Sequence, residues 1–225
     1  MGTALIIGAG AGLSASVARK LAKRGHNIVL AARNTTDLDG LASELDATVV
    51  ACNARDRGDM AALFAKVDAI EGPLDAAVYN PSARVRGPVT ELDPDAVENA
   101  ILVSAYGAFL MAHHAAKRML AEGSGAMLFT GASAGVKGFP NSSTFAMGKF
   151  ALRGLCQSLA RELHPKGIHV GHFVIDGAIS KSSSANDENA QLDPDAIAES
   201  YVHFLDQHPS AWAWEIELRP WVERF

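Results

Sequence analysis

An apolar strand that turns through glycine into a helix opens this chain and limits what the rest can fold into. Thr3-Ala4-Leu5-Ile6-Ile7 is short, partly β-branched and uncharged, which is how a strand buried on both faces reads. Gly8-Ala9-Gly10-Ala11-Gly12-Leu13-Ser14 follows, and Val17 and Leu21, with Ala18 and Ala22, then fall on one helical face. Such a turn aims several backbone N–H groups at one point. The helix dipole adds about half a positive charge there, so a phosphate is the natural ligand. Glycine is needed because a Cβ would hold a pyrophosphate away from the backbone. Two registers fit: Gly10-x-Gly12-x-x-Ala15 has the dinucleotide spacing with alanine last, and Gly8-x-x-x-Gly12-x-Ser14 is wider. On the glycines alone, an ordinary strand-to-helix turn stays open.

The rest of the chain alternates strands with helices. Asn27–Ala32, Thr48–Cys52, Leu74–Tyr79, Ala126–Thr130 and His169–Val174 read as buried strands, and Trp214–Leu218 alternates like a final edge strand. Between them lie a weak helix near Leu38 to Leu45 and a helix capped by Asp56 with Met60, Leu63, Phe64 and Val67 inward. A long helix runs from Pro94 to about Ala121, and another from about Ser143 to Leu163 with Leu152, Leu155, Leu159 and Leu163 on its core face. Leu92-Asp93-Pro94-Asp95-Ala96 and Leu192-Asp193-Pro194-Asp195-Ala196 share one opening: an aspartate cap, proline first, then an acid in the first turn. This order predicts an α/β, single-domain, Rossmann-type doubly wound sheet over residues 1–225, mostly parallel, of about seven strands with helices on both faces. Ligands belong at the carboxyl ends of its strands.

Composition narrows the partners. A formal net charge of −5 argues against nucleic acid or an anionic membrane as the main partner. The N-terminus enters a strand at once, which leaves no room for a signal peptide, and no apolar run approaches membrane length. Cys52 in a predicted strand and Cys156 in a predicted helix read as buried free thiols of a reducing compartment, so a cytoplasmic location is expected. The eight histidines show no metal spacing: His113 and His114 diverge on a helix, and His169 and His172 point to opposite faces of a strand.

In its motifs the chain resembles the short-chain dehydrogenase/reductase (SDR) family over nearly its whole length. The family's T-G-x-x-x-G-x-G appears as Ile7-Gly8-Ala9-Gly10-Ala11-Gly12-Leu13-Ser14, and its N-N-A-G as Tyr79-Asn80-Pro81-Ser82. Its P-G-x-I-x-T appears as Asp176-Gly177-Ala178-Ile179-Ser180-Lys181. The resemblance implies that Gly8, Gly10, Gly12, Leu13 and Ser14 face a dinucleotide. It also implies that Asn80 and Pro81 line the adenine ribose side, and that Gly177 and the Ile179 backbone face the nicotinamide amide. Asn53, beside Ala54, stands where the family has an aspartate against the adenine. It keeps an acceptor and adds a donor. Ser14, in place of the last glycine, is expected to weaken rather than abolish binding.

Cofactor choice follows from the end of the second strand. An acid there binds the ribose 2′-hydroxyl of NAD and repels a 2′-phosphate. This chain has Arg33, followed by Asn34. A guanidinium can grip a phosphate through two parallel hydrogen bonds, which favours NADP(H) over NAD(H). An arginine merely facing water is the alternative.

The resemblance breaks in the catalytic set. The family's proton-transferring tyrosine falls on Phe145, its serine on Ala132 and its helical asparagine on Ser104; only the lysine, Lys149, is kept. A phenyl ring exchanges no proton, and positioned acid–base groups contribute about 10²–10⁴-fold. Ser133, Lys149 with a burial-lowered pKa, or Ser143 and Thr144 through water could substitute. The plainer readings are a loop hydroxyl, a ribose ligand and a helix cap. Arg84 and Arg86 could meet an acidic substrate, though a solvated loop pair is the simpler reading.

The sequence thus predicts an NADP(H)-dependent oxidoreductase of a small carbonyl or alcohol. The alternative is a dinucleotide-binding sensor or partner subunit without turnover. Pairing through the two long helices, with Ala105, Gly107, Ala108 and Ala112 allowing close approach, predicts a homodimer or homotetramer. Residues 180–191, polar and serine-rich, are expected to form a mobile substrate loop.

Overall fold

The computed structural model describes residues 2–180 and 190–223. Seven strands, β1 (Thr3–Ile7), β2 (Asn27–Ala32), β3 (Thr48–Ala51), β4 (Leu74–Tyr79), β5 (Gly125–Thr130), β6 (Ile168–Ile175) and β7 (Glu215–Leu218), form one sheet in the order 3-2-1-4-5-6-7. Every neighbouring pair is parallel. β1 is buried throughout, as its uncharged sequence requires. Two cores flank the sheet. One packs α3 (Arg57–Asp68), α5 (Gly107–Glu122) and α6 (Ser143–Leu163), and the other packs α1 (Leu13–Lys23), α2 (Asp39–Leu45) and α7 (Pro194–Leu205). The chain steps outward from β1 to β3, then crosses to β4 on the other side. That reversal opens a crevice between the carboxyl ends of β1 and β4, where ligands of such sheets bind.

The caps form as their chemistry dictates. The carboxylates of Asp56, Asp93 and Asp193 accept from the backbone N–H of Asp59, Asp95 and Asp195, and prolines stand in the first turn of α4 (Pro94–Ile101) and α7. Each such cap contributes about 1 kcal/mol. On the edge, Glu215 accepts from both Arg153 and His172, which explains an acid in a core-side strand. His169 lies on the opposite face, stacked on Phe204 and Trp212.

The long helix departs from the periodic pattern. Between α4 and α5 the chain makes one turn of π-helix, Leu102–Tyr106. The Tyr79 hydroxyl donates to the carbonyl of Val103 within that turn, satisfying a group that the regular ladder would pair. Gly107 follows because a Cβ there would come within 2.2 Å of the Tyr79 hydroxyl and 2.6 Å of the Ala54 carbonyl oxygen. Gly107, Ala108 and Ala112 pack inward on the subunit's own core. They are therefore closed to a neighbouring chain, which corrects the expectation that they form a pairing surface. The exposed large apolar side chains on the two long helices are Phe109, Leu120, Met147 and Phe150 among the described residues.

No helix among the described residues is long and apolar enough to cross a membrane. Of the expected substrate loop, 181–189 lies outside the described residues. Its flanks are fixed by a bridge between Ile179 and Leu192, with Ser180 N–H donating to Leu192 O at 2.9 Å.

Candidate functional site

The glycine turn sits at the crevice between β1 and β4. Gly8 has φ +80° and Gly12 φ +94°, conformations that favour glycine, and a Cβ on Gly8 would strike Pro81. Gly10 is different: a Cβ there would meet no protein atom within 4 Å. Among the described residues the N–H groups of Gly10, Ala11 and Gly12 donate to no backbone carbonyl. Three free donors in succession at the start of an 11-residue helix, over a space kept clear of side chains, fit a diphosphate. Ser14 does not project into that space. It is buried, donates from Oγ to the Gly8 carbonyl at 2.9 Å and accepts from Asn80 Nδ2 at 2.7 Å. Leu13, also buried, belongs to the core beneath.

A cavity of about 420 Å³ lies on one side of the turn. Gly8, Ala9, Arg33, Asn34, Cys52, Asn53, Ala54, Pro81 and Ser82 contribute to its wall, and no carboxylate does. Arg33 is exposed at its rim and has no ion-pair partner among the described residues. Burial pushes the Cys52 thiol up to about 11, so it stays protonated.

A second cavity, of about 360 Å³, lies on the other side, walled by Asn80, Ser82, Arg84, Thr130, Gly131, Ala132, Phe145, Lys149 and the segment Gly177–Ile179. Ser82 lines both. Lys149 is 2% exposed and donates from Nζ to the Thr130 carbonyl at 2.7 Å. Burial, and secondly the charge of Arg84, lower its pKa to about 8. Two cations lie near the Phe145 ring, Lys149 Nζ 5.8 Å from its centre and the Arg84 guanidinium carbon 4.1 Å from it.

Three comparisons bear on this site. The family model described as short chain dehydrogenase matches residues 2–191. The chain belongs to the short-chain dehydrogenase/reductase family. Among SDR structures, it is similar to a short-chain dehydrogenase from Rhodopseudomonas palustris, with 32% identity, 98% and 99% of the two chains covered and a TM-score of 0.87. A metagenomic short-chain oxidoreductase in complex with NADP shares the fold at 24% identity, with 97% and 96% covered and a TM-score of 0.84. An uncharacterized oxidoreductase of Staphylococcus aureus is 26% identical over 223 residues, 96% of each chain.

Measured against the SDR pattern, the expected residues divide. The structure gathers Asn80, Phe145, Lys149, Gly177 and Ile179 at one cavity, and Arg33, Asn53, Ala54 and Pro81 at the other. Asn80 lines the cavity that holds Lys149, and its amide donates to Ser14 Oγ and to the Gly8 carbonyl, which borders the other cavity. Ser104 is buried and accepts from the Ala83 N–H at 3.2 Å, anchoring the loop after β4. Ser133 opens a short turn, Ser133–Gly135, and lines neither cavity. Ser143 and Thr144 border an apolar groove with Val97 and Met147, away from Lys149. Neither caps α6, whose N-cap is Ser142, and the Thr144 hydroxyl is buried without a hydrogen-bond partner among the described residues. Ser82 and Thr130 join the cavity without a sequence signal, and Arg84, for which solvent is the simpler sequence expectation, stands on the Phe145 ring. Its spacing two residues past Ser82 gave no sign of this, since the direction of a loop side chain depends on how the loop is anchored.

Proposed function

We propose that this protein is an NADP(H)-dependent oxidoreductase acting on a small carbonyl or alcohol. The observation that supports it most is that an arginine-rimmed cavity and a lysine-walled cavity share Ser82 in their walls at the strand ends, next to a glycine turn whose Gly10, Ala11 and Gly12 N–H groups donate to no backbone carbonyl among the described residues. When bound, the dinucleotide supplies or accepts a hydride at the nicotinamide. The chain's own residues do the rest. Gly10, Ala11 and Gly12 hold the diphosphate, Arg33 and Asn34 hold the 2′-phosphate, and Lys149 holds the nicotinamide ribose. In carbonyl reduction the substrate oxygen needs one proton as its carbon takes the hydride. With a pKa near 8, Lys149 Nζ can give that proton and regain it from solvent. In the test, NADPH oxidation by a carbonyl panel falls by about 10²-fold or more in Lys149→Met while NADPH still binds.

One observation favours a second reading, a dinucleotide-binding sensor or partner subunit. Phe145 and Ala132 put no hydroxyl where the family's tyrosine and serine stand, and Ser104 is committed to Ala83. NADPH binding without oxidation of any panel carbonyl, together with activity created by Phe145→Tyr, would establish it. In either reading the protein pairs as a homodimer or homotetramer through the face bearing Phe109, Met147 and Phe150. A monomer in light scattering at micromolar concentration would contradict this.

A further inference from the structure

Nothing in the dinucleotide reading uses Arg84. It follows β4 in the loop whose Ala83 N–H is held by Ser104 Oγ, so its backbone position is fixed. Its guanidinium stacks over Phe145, and among the described residues no carboxylate pairs with it. The ring accepts the charge without occupying the N–H groups, and among the described residues none of them donates a hydrogen bond, so they are open to a partner of opposite charge. Among the described residues, Arg84 and Lys149 are the two charged groups in the wall of this cavity, and both are positive. Burial, and secondly the charge of Arg86, depress the Arg84 pKa from its ordinary value. A small cavity whose described wall carries two cations and no anion suits an anionic guest. Phenylalanine in place of tyrosine keeps the ring as a platform for the guanidinium.

We propose that the substrate of this cavity is an oxo acid or the matching hydroxy acid, whose carboxylate Arg84 grips through two parallel hydrogen bonds while the reacting carbon faces Lys149. The contact selects substrates, since a neutral carbonyl compound leaves the guanidinium unpaired. It rests on the nucleotide reading above only in requiring that the nicotinamide end of the crevice be this cavity.

The test compares straight-chain oxo acids with their methyl esters by calorimetry, on protein saturated with NADPH. The acid is expected to bind roughly tenfold tighter than its ester. Arg84→Gln removes that preference, whereas Arg86→Gln keeps it. In parallel, without nucleotide, the acid raises the Tm of the wild type and leaves Arg84→Gln unchanged. Equal binding of acid and ester by the wild type, or a preference that survives Arg84→Gln, overturns the proposal. Failure of NADPH to bind counts against the nucleotide reading alone. The nucleotide-free arm then decides for or against the carboxylate site.

Discussion

Asn80 Nδ2 donates to Ser14 Oγ at 2.7 Å, tying the end of β4 to the first turn of α1 across the crevice. Ser14 passes the link on to the Gly8 carbonyl, so the glycine turn is braced from behind by two side-chain hydrogen bonds. The serine that departs from the family glycine is therefore a strut. Ser14→Gly should lower stability by about 1–2 kcal/mol, from the lost hydrogen bonds and the cost of glycine in a helix. Denaturant titration reads this directly. A gain in NADPH affinity without loss of stability would show that the serine obstructs the site instead.

Gly10 separates folding from binding. A Cβ at that position meets no protein atom, and its φ lies outside the left-handed range. Gly10→Ala should keep or slightly raise stability, by up to about 1 kcal/mol, through a stiffer unfolded chain. The same methyl stands between the backbone donors and a diphosphate, so NADPH affinity should fall by about tenfold or more. Tm and calorimetry on one variant thus move in opposite directions.

Lys149 gives the fold a pH signature. Its pKa is about 8 in the folded protein against an ordinary 10.5, chiefly through burial. Below pH 8 both folded and unfolded chains hold the proton. Between those two values the unfolded chain holds it and the folded one has released it, so this group makes stability rise with pH across that window. The full gain is about 3 kcal/mol. Unfolding free energies at pH 7.5 and pH 10, both as assay conditions of about that value, should differ more favourably in the wild type than in Lys149→Met. Parallel profiles for the two proteins would contradict the buried, easily deprotonated ammonium.

Phe145→Tyr restores a phenol beside Lys149, whose Nζ already lies 5.8 Å from the ring centre. Carbonyl reduction at saturating NADPH should then rise by about 10²-fold. The same ring still carries Arg84, so the KM for an anionic substrate should change little. A variant slower than the wild type would mean that the native proton route needs the phenyl ring.

Much of this was legible in the residues, for identifiable reasons. β1 is buried on both faces and carries no charge, which is what its place at the centre of the sheet demands, and the buried polar groups of β6, His169 and His172, find their partners in Ala213 O and Glu215. Asp93-Pro94 and Asp193-Pro194 announce helix starts because a carboxylate cap and a proline each act locally. The π-turn at Leu102–Tyr106 left no comparable sign. Its stabilising partner, Tyr79, is a sequence-distant residue whose contact exists only once β4 and the long helix are packed. Ala108 and Ala112 do not reveal their partner in the sequence, because a stripe of small residues has the same spacing whether it faces the core or a neighbouring chain. The place of Arg84 is not legible in the sequence, because it follows a loop anchored by the Ser104–Ala83 hydrogen bond.

The measurement that tests the account most directly is calorimetric titration of NADPH and NADH into the wild type and Arg33→Ala. Binding of NADPH about tenfold or more tighter than NADH, with the difference lost in Arg33→Ala and NADH affinity unchanged, is the predicted result. Neither nucleotide binding, or NADH binding as tightly as NADPH in the wild type, would contradict it.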